Sequence, residues 1–220
     1  MKKQESVRWL KWARELQSIS QTGLAFCEDR YNRDRYTRLA EIASEIVAAH
    51  TSLNPGRLLK NFLDQPGYAT PKVDIRGAIA QEGRILLVQE RSDEKWCLPG
   101  GWADVGETPS EMVIREVWEE SGFQVKATKL VGVWDANRAG IPLVFYHAYK
   151  IIFLCEVIGG TARESDETMG VDYFDFDDLP PLSEQRTHTR HLEEVRRHFA
   201  DPCLLYTSDA ADELDGVDLG

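Results

Sequence analysis

Apolar residues recur at three- and four-residue steps along the first fifty positions of the chain. One stripe consists of Trp9, Trp12, Ala13, Leu16 and Ile19 and ends near Gly23. A second stripe covers 36–47, and a shorter one at 58–63 follows the break at Asn54-Pro55-Gly56. This spacing predicts amphipathic helices that form a small αα-hairpin with a short helix after it. We expect both tryptophans to pack in its core rather than to stack on nucleic-acid bases.

Beyond residue 66 the pattern changes to short apolar runs that are typical of strands. The runs 73–80 and 85–88 flank Gly83 and predict a hairpin. Further strands are predicted near 129–134, 146–156 and 171–176, and helices over 109–121 and 184–199. Strands mixed with two helices indicate an α/β domain with a mixed sheet between helical layers.

The chain therefore divides into a helical domain (1–66), an α/β domain (67–202) and a tail (203–220). The last twenty residues contain six acids and no Lys or Arg, and the stretch CLLYTSDAADE resembles a translated sequencing adapter. Such a segment cannot bury enough apolar surface to offset its backbone ordering entropy, about 1–2 kcal/mol per residue. We predict that the tail is disordered or an artefact of the gene sequence.

Charge and composition limit the partners of the chain. The net charge is −11, and residues 1–66 carry 11 basic and 8 acidic side chains, so nucleic acid is not an expected partner. No 18-residue apolar stretch is present, so we expect no membrane-spanning helix. Charges interrupt the first residues, unlike a secretory signal, and the four cysteines are scattered. We expect a cytoplasmic protein with reduced thiols.

The most informative stretch is GWADVGETPSEMVIREVWEESGF, residues 101–123. Thr108 is suited to cap a helix, with Pro109 at its first position and Glu111 completing a capping box. Gly122 can adopt the left-handed conformation that ends a helix. The sequence therefore predicts a helix that is well defined at both ends.

Three carboxylates gather around one end of this helix, on Glu116, Glu119 and Glu120. Close carboxylates repel one another unless a cation neutralises them or some become protonated. Oxygen ligands of high charge suit a hard divalent ion, Mg²⁺ or Mn²⁺, and the backbone at Gly100 could add a neutral carbonyl ligand. A solvated, Glu-rich helix face is the alternative interpretation.

The pattern G-x5-E-x7-R-E-U-x-E-E-x-G-U, in which U is apolar, resembles the Nudix box at every specified position. The resemblance implies a Nudix-type α/β/α sandwich and a catalytic metal site. It assigns Glu116, Glu119 and Glu120 to the metal, with the carbonyl of Gly100 as a further ligand. Other residues that it assigns to catalysis or to the support of the box are Arg115, paired with Glu107, and the glycines Gly101 and Gly122.

The resemblance also implies the reaction, in which water attacks one phosphorus of a nucleoside diphosphate that is linked to another group. The general base is left open by the sequence. In some members of the family that it resembles a glutamate of the box is the base, and in others an acid of a later loop is. In this chain that loop is 162–167, where we favour Glu167 over Glu164 and Asp166, with a solvated acidic loop as the alternative interpretation. Arg91 is a candidate phosphate ligand, with a surface ion pair as the alternative.

Residues 12–46 resemble the N-terminal helical domain of one Nudix subgroup, whose members resemble CDP-choline and ADP-ribose pyrophosphatases and pair as dimers through that domain. This implies a homodimer that hydrolyses a small nucleoside-diphosphate substrate with Mg²⁺. An RNA-end or damaged-nucleotide hydrolase is an alternative within the family. A sensor that binds a nucleotide without cleaving it is an alternative of another class.

Overall fold

The computed structural model describes residues 2–136, 146–201, 203–204 and 207–208. The chain forms two compact units that divide between Pro71 and Lys72, with Tyr146 and His147 grouped with the first unit. No helix in these ranges is long and apolar enough to cross a membrane.

The first unit contains three helices, α1 (Lys2–Phe26), α2 (Arg30–His50) and α3 (Pro55–Leu63). Asp29 caps the start of α2, because its side chain accepts a hydrogen bond from the Asn32 amide, and Asn54 caps α3 in the same way. Their shared core consists of Ala13, Ala43, Val47, Leu58 and Phe62. The predicted helices are confirmed, although α1 and α2 extend beyond the apolar stripes.

The two tryptophans of α1 differ in environment. Trp9 packs against this core and stacks on His50, with ring centroids 4.6 Å apart. Trp12 is 51% exposed, so the prediction that it lies in the core is wrong. Its ring lies at the surface of α1, where the Arg8 guanidinium is 5.2 Å from the ring centroid.

The second unit is built on a mixed sheet with the strand order β5-β1-β7-β6-β9. Its members are β1 (Lys72–Ala78), β5 (Gly100–Trp102), β6 (Phe123–Asp135), β7 (Ala148–Gly160) and β9 (Thr207–Ser208). The β1 strand lies parallel to β7 and antiparallel to β5, while β6 and β7 form an antiparallel pair. This sheet is the mixed sheet that the sequence predicts.

A second, antiparallel sheet contains β2 (Ala80–Gln81), β3 (Arg84–Glu90) and β4 (Trp96–Cys97), with β8 (Thr168–Asp175) paired to β3. The predicted hairpin of 73–80 with 85–88 is therefore largely wrong. Only Ala80 and Gln81 pair with β3, because β1 finds its partners in the other sheet. The turn at Gly83 is present and has a positive φ.

Two helices cover the opposite faces of the mixed sheet. The α4 helix (Pro109–Ser121) packs through Met112, Val113 and Val117 on one face, and α5 (Thr189–Ala200) packs on the other through Leu192 and Val195. The predicted α/β class, with helical layers on both sides of a mixed sheet and helices ahead of it, is confirmed.

The α5 helix begins at Thr189 rather than at the predicted residue 184. Ser183 accepts backbone hydrogen bonds from Arg186 and Thr187, which close a turn instead of a helix. The His188 side chain then caps α5 by accepting from the Arg190 amide.

Most of the predicted tail lies outside the described residues, including Tyr206. Thr207 and Ser208 pair as the short parallel strand β9 with Gly132 and Val133 of β6. The predicted nature of residues 203–220 and the predicted domain boundaries stay predictions.

Candidate metal and pyrophosphate site

The α4 helix has the caps that the sequence predicts. Thr108 accepts a hydrogen bond from the Glu111 amide, while the Glu111 side chain accepts from the Thr108 amide, so the capping box is complete. At the other end Gly122 has a φ of 79°, in the left-handed region. These caps fix the position of the glutamates in the last two turns relative to the loop before the helix.

Glu120 is buried, and its Oε2 atom accepts a hydrogen bond of 2.8 Å from the Gly100 amide. Burial raises the pKa of Glu120 to about 8, although the charge of Arg76 and the Gly100 amide act in the opposite direction. Gly100 has a φ of 137°, and a Cβ atom there would overlap the carbonyl oxygen of Ile75. Only glycine allows the backbone to reach Glu120 at this point.

Glu116 lies beside Gly101, the next residue of β5. A Cβ atom at Gly101 would lie 3.1 Å from Glu116 Oε2, so the absence of a side chain leaves room for this carboxylate. Burial raises the pKa of Glu116 as well, against the opposing charge of Arg115. The start of β5, at Gly100 and Gly101, therefore meets two partly or fully buried carboxylates from one helix.

Arg115 connects the acidic side chains around α4. Its guanidinium contacts Glu107 at 2.7 Å, Asp104 at 3.1 Å, and both Glu116 and Glu119 at 2.9 Å. The hydrogen bonds to Glu107 hold the pKa of Arg115 well above its usual range, so it stays charged. The predicted ion pair with Glu107 is formed.

The oxygen ligands around α4 are of the kind that suits a hard divalent cation, but the side chains are not arranged around a common point. No group of three His, Cys, Asp or Glu side chains among the described residues is placed to hold an ion. Glu119 is bound to Arg115, whereas the raised pKa values of Glu116 and Glu120 show that nearby cations do not fully compensate these carboxylates. Carboxylate and carbonyl oxygens are the ligands that Mg²⁺ and Mn²⁺ prefer.

The loop with the candidate general base lies against the end of α4. Glu167 is exposed, and its carbonyl oxygen accepts a hydrogen bond of 2.9 Å from the Arg91 amide. The Arg91 side chain donates to the carbonyl oxygen of Ser165 at 3.2 Å and approaches Glu164 at 3.5 Å. Arg91 therefore holds this loop, while its predicted contact with phosphate stays a prediction.

A buried charged cluster on the α5 side of the sheet was missed by the sequence analysis. Asp74 forms ion pairs with both Arg76 and Lys150, which lower the pKa of Asp74 although its burial alone would raise it. Arg76 also donates to the carbonyl oxygen of Leu98, two residues before Gly100, at 3.1 Å. The signal for this cluster is a pair of opposite charges two residues apart in an otherwise apolar strand.

Similarity to known proteins identifies a hydrolase of pyrophosphate bonds built on the Nudix fold. Residues 70–196 match the NUDIX domain model, and residues 7–62 match the model described as the UDP-X-like N-terminal oligomerisation domain. The chain belongs to the Nudix family, in the subgroup with this helical domain.

Named relatives agree with this assignment. YjhB of Bacillus subtilis (strain 168), provisionally named an ADP-ribose pyrophosphatase, is 38% identical over 84% of this chain and 89% of its own length. The crystal structure of a UDP-X diphosphatase is 30% identical, covers 93% of this chain and 99% of its own, and has a TM-score of 0.60. An ADP-ribose pyrophosphatase from Streptococcus suis 89-1591 is 36% identical over 63% of this chain and 98% of its own, with a TM-score of 0.56.

Proposed function

We propose that this protein hydrolyses the pyrophosphate linkage of a nucleoside diphosphate joined to another group, and that it requires Mg²⁺, with Mn²⁺ as a substitute. The proposal rests on one observation: Glu116 and Glu120 both lie against the backbone of Gly100 and Gly101. Both carboxylates have raised pKa values, so a divalent cation between them would remove an unfavourable arrangement of buried acids.

In this proposal Glu116, Glu119, Glu120 and the carbonyl of Gly100 hold the metal. A divalent cation held there would supply positive charge to offset that of the diphosphate and would lower the pKa of the attacking water. Arg115 orients Glu116 and Glu119 through its guanidinium, and Glu107 holds Arg115 in place. Glu119 contacts Arg115 through Oε2 alone, so its other carboxylate oxygen would be available to a cation.

Glu167 is proposed to accept the proton of the attacking water at its carboxylate, with Glu164 and Asp166 as the alternatives on the same loop. Its exposure leaves the carboxylate accessible to solvent and to a substrate. Arg91 is proposed to act on the diphosphate only through the part of its guanidinium that the loop does not occupy.

The substrate class proposed is a nucleoside diphosphate linked to a sugar or to another group, with ADP-ribose and UDP-linked compounds first. The relatives named above are designated for these two kinds of substrate, and each matches this chain at 30% identity or more. The resemblance to CDP-choline pyrophosphatases adds CDP-linked compounds.

A substrate panel tests the proposal. Purified protein is incubated with ADP-ribose, UDP-glucose, CDP-choline and a capped RNA, each with Mg²⁺, with Mn²⁺ and with EDTA, and nucleoside monophosphate is measured by chromatography. We expect release of a monophosphate from at least one diphosphate compound, and loss of this activity in EDTA. Binding of a nucleotide without cleavage under every condition would instead support the sensor alternative.

We further propose that the protein forms a homodimer through its helical unit and works in the cytoplasm. Several large apolar side chains of α1 and α2 are exposed in the single chain: Trp12, Ile19, Phe26 and Tyr31. Burying such a surface against a second copy is favourable. All four cysteines are free, as is usual in a reducing compartment.

A further inference from the structure

The segment 161–168 caps the C-terminal end of α4. Carbonyl groups in the last turn of a helix have no partner within the helix. Here the Ser121 carbonyl accepts a hydrogen bond of 2.9 Å from the Arg163 amide, and the Glu120 carbonyl accepts one of 2.8 Å from Thr168 Oγ1. The loop that carries the candidate base therefore satisfies carbonyls of the same turn that carries two proposed metal ligands.

Close packing of the loop against the helix end supports this contact. A Cβ atom at Gly122 would lie 2.5 Å from the Thr161 carbonyl oxygen and 2.8 Å from the Arg163 Cβ atom. No side chain could be placed between them without moving one of the two segments. The end of α4 and the start of the loop therefore lie in direct contact.

Thr168 is fully buried and closes the loop on itself. Its hydroxyl lies 2.9 Å from Ser165 Oγ, and Ser165 Oγ in turn accepts hydrogen bonds from the amides of Thr168 at 3.1 Å and Glu167 at 3.2 Å. The backbone of Glu167 is thus tied to Ser165 and Thr168. One hydroxyl group connects this small ring of hydrogen bonds to the backbone of Glu120.

Arg91, which directly follows β3, holds the loop from the other side. Its Nε and Nη2 atoms both donate to the Ser165 carbonyl at 3.2 Å, and its amide donates to the Glu167 carbonyl. The loop is consequently fixed to two elements, α4 through Thr168 and the end of β3 through Arg91.

We propose that Thr168 is a positioning residue for the hydrolysis reaction, which fixes Glu167 relative to the proposed metal ligands of α4, with Arg91 as its second support. The inference rests on the proposed function. A catalytic group displaced by about 1 Å can cost on the order of 10²-fold in rate, so the loss of one buried link has a measurable effect.

Thr168→Val and Thr168→Ser separate the hydroxyl from the rest of the side chain. Valine keeps the shape and removes the donor, whereas serine keeps the donor. We expect kcat to fall at least tenfold in Thr168→Val with KM nearly unchanged, because substrate binding is not altered, and to stay near the wild-type value in Thr168→Ser. The matched control is Thr128→Val, since Thr128 Oγ1 donates to the Leu154 carbonyl at 3.1 Å, away from α4.

A double-mutant cycle tests whether Thr168 acts through Glu167. If it does, Thr168→Val has a much smaller effect on kcat in a Glu167→Gln background than in the wild type. Full additivity of the two substitutions overturns the proposal. A Thr168→Val enzyme within twofold of the wild-type kcat, or a Thr168→Ser enzyme as impaired as Thr168→Val, overturns it as well.

Hydrogen exchange supplies a readout that does not depend on activity. We expect faster amide exchange in the peptide 159–168 and in the last turn of α4 for Thr168→Val than for Thr128→Val. Unchanged exchange contradicts the link even if the enzyme is active. A wild-type protein that cleaves no diphosphate contradicts the proposed function instead, so the two failures are distinguishable.

Discussion

Glu120 combines three properties at the scale of a single residue: burial, a raised pKa, and a hydrogen bond to the backbone amide of Gly100. An acid buried in this way is costly unless a cation neutralises it. Burial also raises the pKa of its neighbour Glu116, while the exposed Glu119 is paired with Arg115. The three glutamates of the box therefore differ in burial and in pairing.

Glu120→Gln tests the assignment of this residue as a metal ligand. The amide keeps the shape and can still accept from Gly100, but it removes the ligand charge. We expect Mg²⁺-dependent turnover to fall on the order of 10²-fold or more, comparable to the loss of one strong electrostatic contact in other active sites. Glu193→Gln, at an exposed position of α5, is the control. Near-normal turnover of Glu120→Gln in Mg²⁺ would remove this glutamate from the site.

Gly100→Ala tests the close approach of β5 to β1 at the start of β5. The new Cβ atom would overlap the Ile75 carbonyl oxygen, in addition to the strain of a positive φ, which is typically about 1–3 kcal/mol. Gly106→Ala is the matched control, because Gly106 has a φ of 102° and nothing within 4 Å of its Cβ position. We expect urea unfolding to show a larger loss of stability for Gly100→Ala. Equal losses would mean that strain alone, without the overlap, limits this position.

His191 predicts a dependence of stability on pH. Burial and the charge of Lys150 hold the pKa of His191 well below its usual value, so it stays neutral in the folded protein. Below about pH 6.5 the unfolded chain binds a proton that the folded chain does not, and the free energy of unfolding falls as the pH drops. His191→Gln removes this titration and keeps a capping side chain at the third position of α5.

We therefore expect urea unfolding between pH 6.5 and 5 to show a shallower loss of stability in His191→Gln than in the wild type. The difference in slope is at most about 1.4 kcal/mol per pH unit, the value for one proton. Parallel slopes would show that His191 takes up its proton in the folded state.

At the scale of elements, local signals predict α4 from its first to its last residue. Thr108, Pro109, Glu111 and Gly122 each act within one turn of the helix end, so no distant contact is needed to place them. The start of α5 was misplaced by five residues because the turn at Ser183 competes with a helix there. The capping of α4 by Thr168 was not predictable, since the two residues that meet are 48 positions apart.

The helical unit carries a prediction of its own. Its exposed apolar side chains and a net charge of only +3 over residues 1–66 favour contact with a second protein copy over contact with nucleic acid. Sedimentation of the full chain should show a dimer, and removal of residues 1–66 should give a monomer. The prediction that the helical unit forms the dimer contact fails if the truncated protein still dimerises with unchanged affinity.

At the scale of the whole molecule, sequence patterns predict the layers but not the pairing of the strands. Residues 73–80 and 85–88 are adjacent in sequence, and adjacency favours a hairpin. The structure instead places β1 between β5 and β7. The partners of β1 are therefore strands that are distant in sequence and not the adjacent β3. Asp74 meets Lys150 because β1 pairs with β7, so a sequence pattern that does not predict this pairing does not predict the buried ion pair.

Deletion of residues 203–220 should leave the melting temperature and turnover unchanged within error. The acidic composition of the segment gives it little apolar surface to bury, and the pairing of Thr207 and Ser208 with β6 involves only two residues at a sheet edge. Thermal unfolding and the substrate assay measure both quantities. A drop of several degrees would show that the segment is part of the folded domain.

The position of β1 between β5 and β7 has a consequence for biosynthesis. Asp74 and its partner Lys150 are 76 positions apart, and β1 and β7 are paired along the full length of β1. Contacts at such separation form slowly, and during translation they must wait for the later strand to leave the ribosome. Nascent chains that end before residue 148 therefore expose β1 without its parallel neighbour. The helices α1 to α3, whose contacts are local, can form on the same chains well before the catalytic unit exists.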